Sequence, residues 1–167
     1  MSYQEHKSHS IEHLKCAVII TSDSRTIADD DSGKYIQQHL LNAGHLVTHY
    51  AILKNDEAVI GNEIKRLIEQ NDVQVVITSG GTGLSKKDVT VNTVRAILEK
   101  ELEGFGELFR SLSYQEIGTG AMMSRALAGV AKTRVIICVP GSLGAVKLAI
   151  DKIILPEIGH LVREATR

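Results

Sequence analysis

A chain of 167 residues, 43% of them hydrophobic, is long enough to bury one sizeable core, and a single soluble globular domain is expected. The formal net charge of −1 argues against a broad nucleic-acid or membrane surface, while leaving room for a local anion site built from loops and helix ends. Two cysteines, Cys16 in "KCAVII" and Cys138 in "VIICVP", lie inside strand-like apolar runs with no CxxC partner, so they read as small buried apolar residues and fit a reducing compartment.

Residues 1–13 form a polar arm, expected to be mobile, and residues 14–167 form the domain. The arm lacks the apolar segment of a signal peptide, and no uninterrupted apolar run approaches membrane-spanning length, so a cytoplasmic protein is expected. His6, His9 and His13 are spaced too irregularly for a defined metal site.

The short β-branched run "KCAVIIT" predicts a buried strand, followed at once by the polar loop "SDSRTIADDDSG". Within that loop Asp29, Asp30 and Asp31 either cap the next helix or are solvated, and solvation is the simpler reading. A helix is expected from Ser32 to Ala43, with Tyr35, Ile36, Leu40 and Leu41 on one face and Gly44 as its C-terminal cap. "LVTHYAIL" predicts a second strand, and Asp56 stands at the N-cap position before Ile60, Ile64, Leu67 and Ile68 at helical spacing.

"VQVVITS" predicts the third strand; it runs into "TSGGTGLSKKD" and then a helix in "TVNTVRAILEK" with Val91, Val94 and Leu98 on an apolar stripe. The section "ELEGFGELFRSLSYQEIGTGAMMSRALAG" is expected to be helical in pieces, interrupted by Gly104, Gly106, Gly118 and Gly120. "TRVIICV" reads as the last clear strand, stopped by Pro140 and Gly141, and a long amphipathic helix follows that Pro156 bends or restarts. Alternating strands and helices predict an α/β fold with a mostly parallel sheet, and in such a sheet the loops after the strands gather at one edge. Those loops are "TSDSR", "KND", "TSGGTG" and "VPGS".

Glycines between a strand and a helix let backbone N–H groups face a phosphate; the plainer reading is a tight turn that saves space. "GGTGLSKK" matches neither the GxGxxG fingerprint nor a P-loop. Asp56 and Asp88 on these loops suggest a metal-assisted phosphate site, because carboxylates beside a polyphosphate repel it unless Mg²⁺ lies between. Each also has a bland reading, Asp56 as an N-cap and Asp88 as the start of the next helix. Lys86 and Lys87 could neutralise a leaving pyrophosphate, or be solvated loop lysines. Ser124, Arg125 and Ser142 could hold another anionic group, although helix capping alone would explain Ser142. No nucleophile elbow accompanies a Ser/His/Asp set, and aromatic residues are only 4% of the chain, which weakens hydrolase and nucleic-acid readings.

The stretches "TSDSRTIADDDSG", "TSGGTGLSKKDVT", "GFGELFRSLSYQEIG", "MSRALAG" and "VPGSLGAVKLA" resemble the MoaB/Mog family of molybdenum-cofactor biosynthesis proteins, in order and spacing, over residues 15–163. "GFGELFR", "EIG" and "MSRA" resemble the MoaB branch more than the Mog branch. The resemblance implies a three-layer α/β/α fold, a trimer that can pair into a hexamer, molybdopterin binding and no nucleic-acid or membrane partner. It further implies adenylylation of molybdopterin by ATP with Mg²⁺, and hand-over of the product to a molybdate-inserting protein.

Carried over by position, Asp56 and Asp88 match the aspartates associated with catalysis in active members, and both are expected to ligate Mg²⁺. Ser79, Gly80, Gly81, Thr82 and Gly83 match the phosphate-cradling loop, Ser22 and Asp23 the loop near the nucleotide, and Ser124, Arg125, Pro140, Gly141 and Ser142 the pterin and phosphate pocket. Asn55 departs from the pattern, since many Mog-branch members have Pro before the aspartate. Retention of both aspartates favours an enzyme. The alternatives are a non-catalytic molybdopterin carrier of the same fold and a nucleotide pyrophosphatase like the related CinA-type domain.

Overall fold

The computed structural model describes Tyr3 and residues 9–167, so His6 lies outside the described residues. Strands β1 (Lys15–Thr21), β2 (Leu46–Leu53), β3 (Val75–Ser79), β4 (Lys100–Glu101), β5 (Leu127–Ala131) and β6 (Arg134–Val139) make one six-stranded sheet in the order β2-β1-β3-β6-β5-β4. The first four positions in that order are parallel, and β5 and β4 add an antiparallel edge. Helices are α1 (Asp31–Asn42), α2 (Glu57–Ile68), α3 (Thr90–Ile97), α4 (Glu103–Ile117), α5 (Leu143–Ala149) and α6 (Leu155–Thr166). A 3₁₀ segment, Gly118–Met123, follows α4, and a π-helical turn, Ile150–Ile154, joins α5 to α6.

The period-two geometry of a strand divides the core into two layers. In β1, Cys16, Val18 and Ile20 pack against α1, α4, α5 and α6, whereas Ala17 and Ile19 pack against α2 and α3. Because both faces are covered, the central strands are apolar throughout, the pattern of a buried parallel sheet. Ile36, Leu40, Ile60, Ile64, Val91 and Val94 are fully buried; burying such a side chain contributes about 1.5–3 kcal/mol each. The expected three-layer α/β/α arrangement is therefore the one observed.

Departures from the sequence reading have local causes. Leu41, expected on the buried face of α1, is 50% exposed because it follows Leu40 by about 100° around the axis. Leu98 does not extend the stripe of α3 as helix: it is the extended residue that ends it. The section expected in helical pieces contains one unbroken fifteen-residue helix, α4, that runs through Gly104 and Gly106. A Cβ at Gly106 would lie 2.7 Å from the Ala126 carbonyl oxygen, so this glycine allows close packing and does not break the helix. Asp30 corrects the solvated reading of its cluster: it is fully buried and caps α1 by accepting the Gly33 N–H at 2.9 Å.

Cys16 and Cys138 are buried, and that burial pushes both thiols up to about 12. The last residues of the arm are docked, with the Ile11 N–H donating to Gly159 O at 3.3 Å. A Cβ on Gly159 would lie 2.4 Å from the Ile11 carbonyl oxygen. Gly159→Ala is thus expected to release residues 10–12 and bring amide exchange at Ile11 close to open-chain rates. The melting temperature should change little, because Ala in place of a helical Gly contributes about 1 kcal/mol that offsets the lost contact.

Nearby, His45 is 7% exposed and accepts a hydrogen bond from the Leu14 N–H on Nδ1 at 3.3 Å. Burial, then the proximity of His13, push its imidazole below the ordinary value. A base depressed in this way stabilises the fold above its unfolded pKa, and that stabilisation disappears as pH falls through the folded value. Wild type should lose melting temperature between about pH 7.5 and 5 more steeply than His45→Gln, whose amide oxygen still accepts from Leu14 but does not titrate.

Candidate functional site

From β1 the chain crosses to β2 on one side and then to β3 on the other, so the sheet has a topological switch between β1 and β3. Loops leaving these strands diverge there and open a crevice at the carboxyl edge. The four predicted loops do meet at this edge. Asp23 Oδ1 accepts the Asn55 N–H at 3.0 Å, Lys54 Nζ donates to Asp23 O at 2.5 Å, and Lys87 Nζ lies 3.7 Å from Asp23 Oδ2. On the other flank Ser79 Oγ donates to Pro140 O at 3.1 Å, and the Gly80 N–H to Val139 O at 3.0 Å.

The glycine loop needs its glycines first for its own packing. Gly80 has φ +104°, and a Cβ there would fall 2.4 Å from the Thr21 carbonyl oxygen; Gly81 has φ +64°, with Thr90 Oγ1 only 2.1 Å from where its Cβ would be. At Gly83 the space is filled by the Asp88 carboxylate, 2.7 Å away. These contacts draw the loop down between β1 and α3. Among the described residues the N–H groups of Gly81 and Thr82 reach no acceptor, which leaves them free to donate to a bound oxyanion.

Both predicted catalytic aspartates also hold local structure. Asp56 is the N-cap of α2, with Oδ1 accepting the Val59 N–H at 2.9 Å. Asp88 does not begin the next helix: it closes the preceding loop by accepting the Ser85 N–H at 2.9 Å, and α3 starts at Thr90 without a side-chain cap. Partial burial works to raise the Asp88 pKa, but hydrogen bonds from Ser85 and Gly83, with the charge of Arg125, outweigh it and hold the group below the usual carboxylate range. Asp23 is held low as well, first by the Asn55 backbone and side chain. Both groups therefore carry negative charge at neutral pH.

Arg125 links the rest of the loop. It donates to Asp88 O at 2.9 Å, Asn92 Oδ1 at 2.9 Å and Thr82 O at 3.4 Å. Ser124 Oγ turns the chain by accepting the Ala126 N–H at 3.2 Å, and a groove of about 400 Å³ lined by Arg110, Ser124 and Arg125 runs alongside. Ser22 Oγ accepts from the Arg25 N–H at 3.0 Å, and Ser142 Oγ caps α5 by accepting from Ala145 at 3.3 Å. A more apolar hollow of about 370 Å³, lined by Leu102, Val130, Leu161 and Ala165, contains none of the predicted site residues.

Three residues at this edge were not read as site residues from the sequence. Arg25 Nη2 donates to Gly141 O at 3.0 Å, and its Nη1 lies 3.7 Å from buried Asp30. The Tyr50 hydroxyl donates to Asp30 Oδ2 at 2.5 Å. Burial, then this carboxylate, push the Tyr50 phenol above its ordinary range. Tyr50 and Asp30 come from different elements, so no local pattern announces the pair. The available signal is an arginine in a loop otherwise rich in aspartate.

Among the described residues no helix is long and apolar enough to cross a membrane. The sequence profile of the family described as "Probable molybdopterin binding domain" matches residues 17–160. A molybdenum cofactor biosynthesis protein B from Bacillus cereus is 46% identical, covering 100% of this chain and 99% of its own. A crystal structure of a molybdenum cofactor biosynthesis protein B superposes with a TM-score of 0.90 at 47% identity, covering 93% of this chain and 97% of that one. The tungsten cofactor synthesizing protein MoaB from Pyrococcus furiosus superposes with a TM-score of 0.84 at 33% identity, covering 95% and 100%. With the fold, the edge loops and the relatives in agreement over almost the whole length, the chain belongs to the MoaB/Mog family of molybdopterin-binding domains.

Proposed function

We propose that the protein acts in molybdenum-cofactor biosynthesis as a molybdopterin adenylyltransferase. In the reaction the terminal phosphate of molybdopterin attacks the α-phosphate of ATP. A new P–O bond forms there, the bond from the α-phosphorus to the bridging oxygen breaks, and pyrophosphate leaves with the electron pair. The observation that carries the reading is that Asp56 and Asp88 both stand on the edge where the glycine loop leaves two backbone N–H groups unpaired.

Because the attacking atom belongs to the substrate, the protein needs to position and neutralise, not to supply a nucleophile. The Gly81 and Thr82 N–H groups donate to phosphate oxygens, and Arg125 keeps their loop in place. Lys54, Lys86 and Lys87 offset the charge of the departing pyrophosphate.

The oxygen donors here suit Mg²⁺, a hard cation that takes one or two carboxylates and completes its shell with phosphate and water. Asp56 uses Oδ1 for its cap and has Oδ2 free of protein hydrogen bonds, and the adjacent Asn55 Oδ1 is buried without a partner among the described residues. Asp56 and Asp88 would hold the ion, which when bound neutralises the triphosphate and polarises it toward attack.

A non-catalytic molybdopterin carrier is favoured by one observation: both carboxylates already perform structural work. Incubation with molybdopterin, ATP and Mg²⁺, followed by product analysis, separates the readings. Adenylyl-molybdopterin and pyrophosphate support the transferase, retained molybdopterin without product supports the carrier, and ATP cleavage without molybdopterin supports a pyrophosphatase. The working protein is a cytoplasmic homotrimer or homohexamer that passes its product to a molybdate-inserting protein. Sedimentation giving a monomer at micromolar concentration would contradict that assembly.

A further inference from the structure

Two carbonyls in the turn before α5 are pinned. Gly141 O accepts from Arg25 Nη2 at 3.0 Å and from Ser32 Oγ at 3.0 Å, and Pro140 O accepts from Ser79 Oγ at 3.1 Å. A planar trans peptide carries its C=O and N–H on opposite sides, so fixing these carbonyls also fixes the directions of the Gly141 and Ser142 N–H groups. Arg25 is itself restrained. Its second terminal nitrogen pairs with Asp30, whose side chain is 0% exposed, and Asp30 in turn accepts from the Tyr50 hydroxyl at 2.5 Å and the Gly33 N–H at 2.9 Å. A Cβ on Gly33 would lie 1.9 Å from Asp30 Oδ2, so the absence of a side chain at position 33 leaves the space that this carboxylate fills.

We propose that Tyr50, Asp30 and Arg25 form a positioning chain which, with Ser32, sets the Pro140-Gly141-Ser142 turn and thereby tunes how tightly the site holds a phosphate-bearing ligand. The inference rests on the anion-binding part of the proposed function and does not require adenylyl transfer. It assigns control of the pocket to a network that reaches from β2 through the buried carboxylate of Asp30, not to the exposed loop lysines alone. Because Arg25 bridges Asp30 and a carbonyl with separate nitrogens, one lysine ammonium is a poor substitute.

The test titrates inorganic pyrophosphate into wild type and variants, following heat and the backbone amide shift of Ser142, with melting temperature recorded beside them. Wild type should bind, with the Ser142 amide shifting. Ser32→Ala and Tyr50→Phe, which leave the charge of Arg25 intact, should each weaken binding several-fold, and Arg25→Gln about tenfold or more. Arg25→Lys should recover little of that loss. Wild-type affinity in Ser32→Ala and Tyr50→Phe, with loss confined to Arg25→Gln, would overturn the chain in favour of a direct charge contact. Lowered melting temperature with unchanged affinity throughout, or a wild type that binds no pyrophosphate, would overturn it too. Pyrophosphate binding that follows the expected order in a protein making no adenylyl-molybdopterin would support the chain while refuting the transferase.

Discussion

Gly80→Ala should yield little folded protein, and no side-chain trimming should recover it. The residue has φ +104°, a region that non-glycine residues reach only under strain, and the new Cβ would stand 2.4 Å from the backbone oxygen of Thr21. Strain and overpacking together are expected to cost about 2–5 kcal/mol, a large share of the stability of an ordinary domain. Gly81→Ala offers the contrast, because its nearest obstacle is the Thr90 hydroxyl at 2.1 Å, a group that can be removed. Thr90→Ala should restore part of the stability lost in Gly81→Ala and none of that lost in Gly80→Ala. Chemical denaturation of the two single and two double variants checks this; equal rescue in both backgrounds would contradict the packing described.

The largest effect on activity is expected from removing charge at Asp56 and Asp88 without removing their hydrogen bonds. Asn is as good an N-cap as Asp, so Asp56→Asn should keep the bond to Val59 and most of the stability, whereas Asp56→Ala costs about 1 kcal/mol in capping alone. Asp88→Asn can likewise still accept from Ser85. Each Asn variant should nevertheless lower the rate of adenylyl-molybdopterin formation by about a hundredfold or more, the scale of losing one charged group that acts on the transition state. Single-turnover product formation, read beside melting curves, makes the distinction. A rate that falls only in step with stability would leave the carboxylates as structural residues and return the protein to the carrier reading.

Strong periodicity made the parallel half of the molecule legible in the sequence. β1, β2, β3 and β6 are apolar, β-branched runs, and Asp56 before the Ile60, Ile64, Leu67, Ile68 stripe names both the cap and the buried face of α2. The antiparallel edge was not legible. β5 reads "LAGVA", short and built of small residues, and its hairpin turn uses Lys132 and Thr133 at φ 49° and 62°, where Asn-Gly would have signalled a reversal. The glycine loop was found but half explained, because the atoms that exclude its Cβ groups belong to Thr21 and Thr90, distant in sequence. Asp30, offered as a cap, was read as solvated for a similar reason: a buried carboxylate can be recognised only with its partner, and Tyr50 lies on β2, beyond the helix that Asp30 caps.

The π-helical turn between α5 and α6 has a bearing on how the C-terminal segment tolerates changes in length. Val146, Ile150, Ile154, Ile158 and Val162 recur at every fourth position, and all five are buried. In an unbroken α-helix each such step overshoots a full turn by about 40°, so the row would swing by about 160° from first to last and carry Val162 toward solvent. The turn closed by the Leu155 N–H on Ile150 O spans five residues, and the slower rotation through it returns the row to the sheet. Deleting a single residue from Ile150–Ile154 would therefore leave an ordinary α turn, four residues at about 100° each covering nearly the rotation that five cover at the slower rate. Ile158 and Val162 would still face the core, whereas the same deletion within α6 would be a phase error of about 100° in everything beyond it.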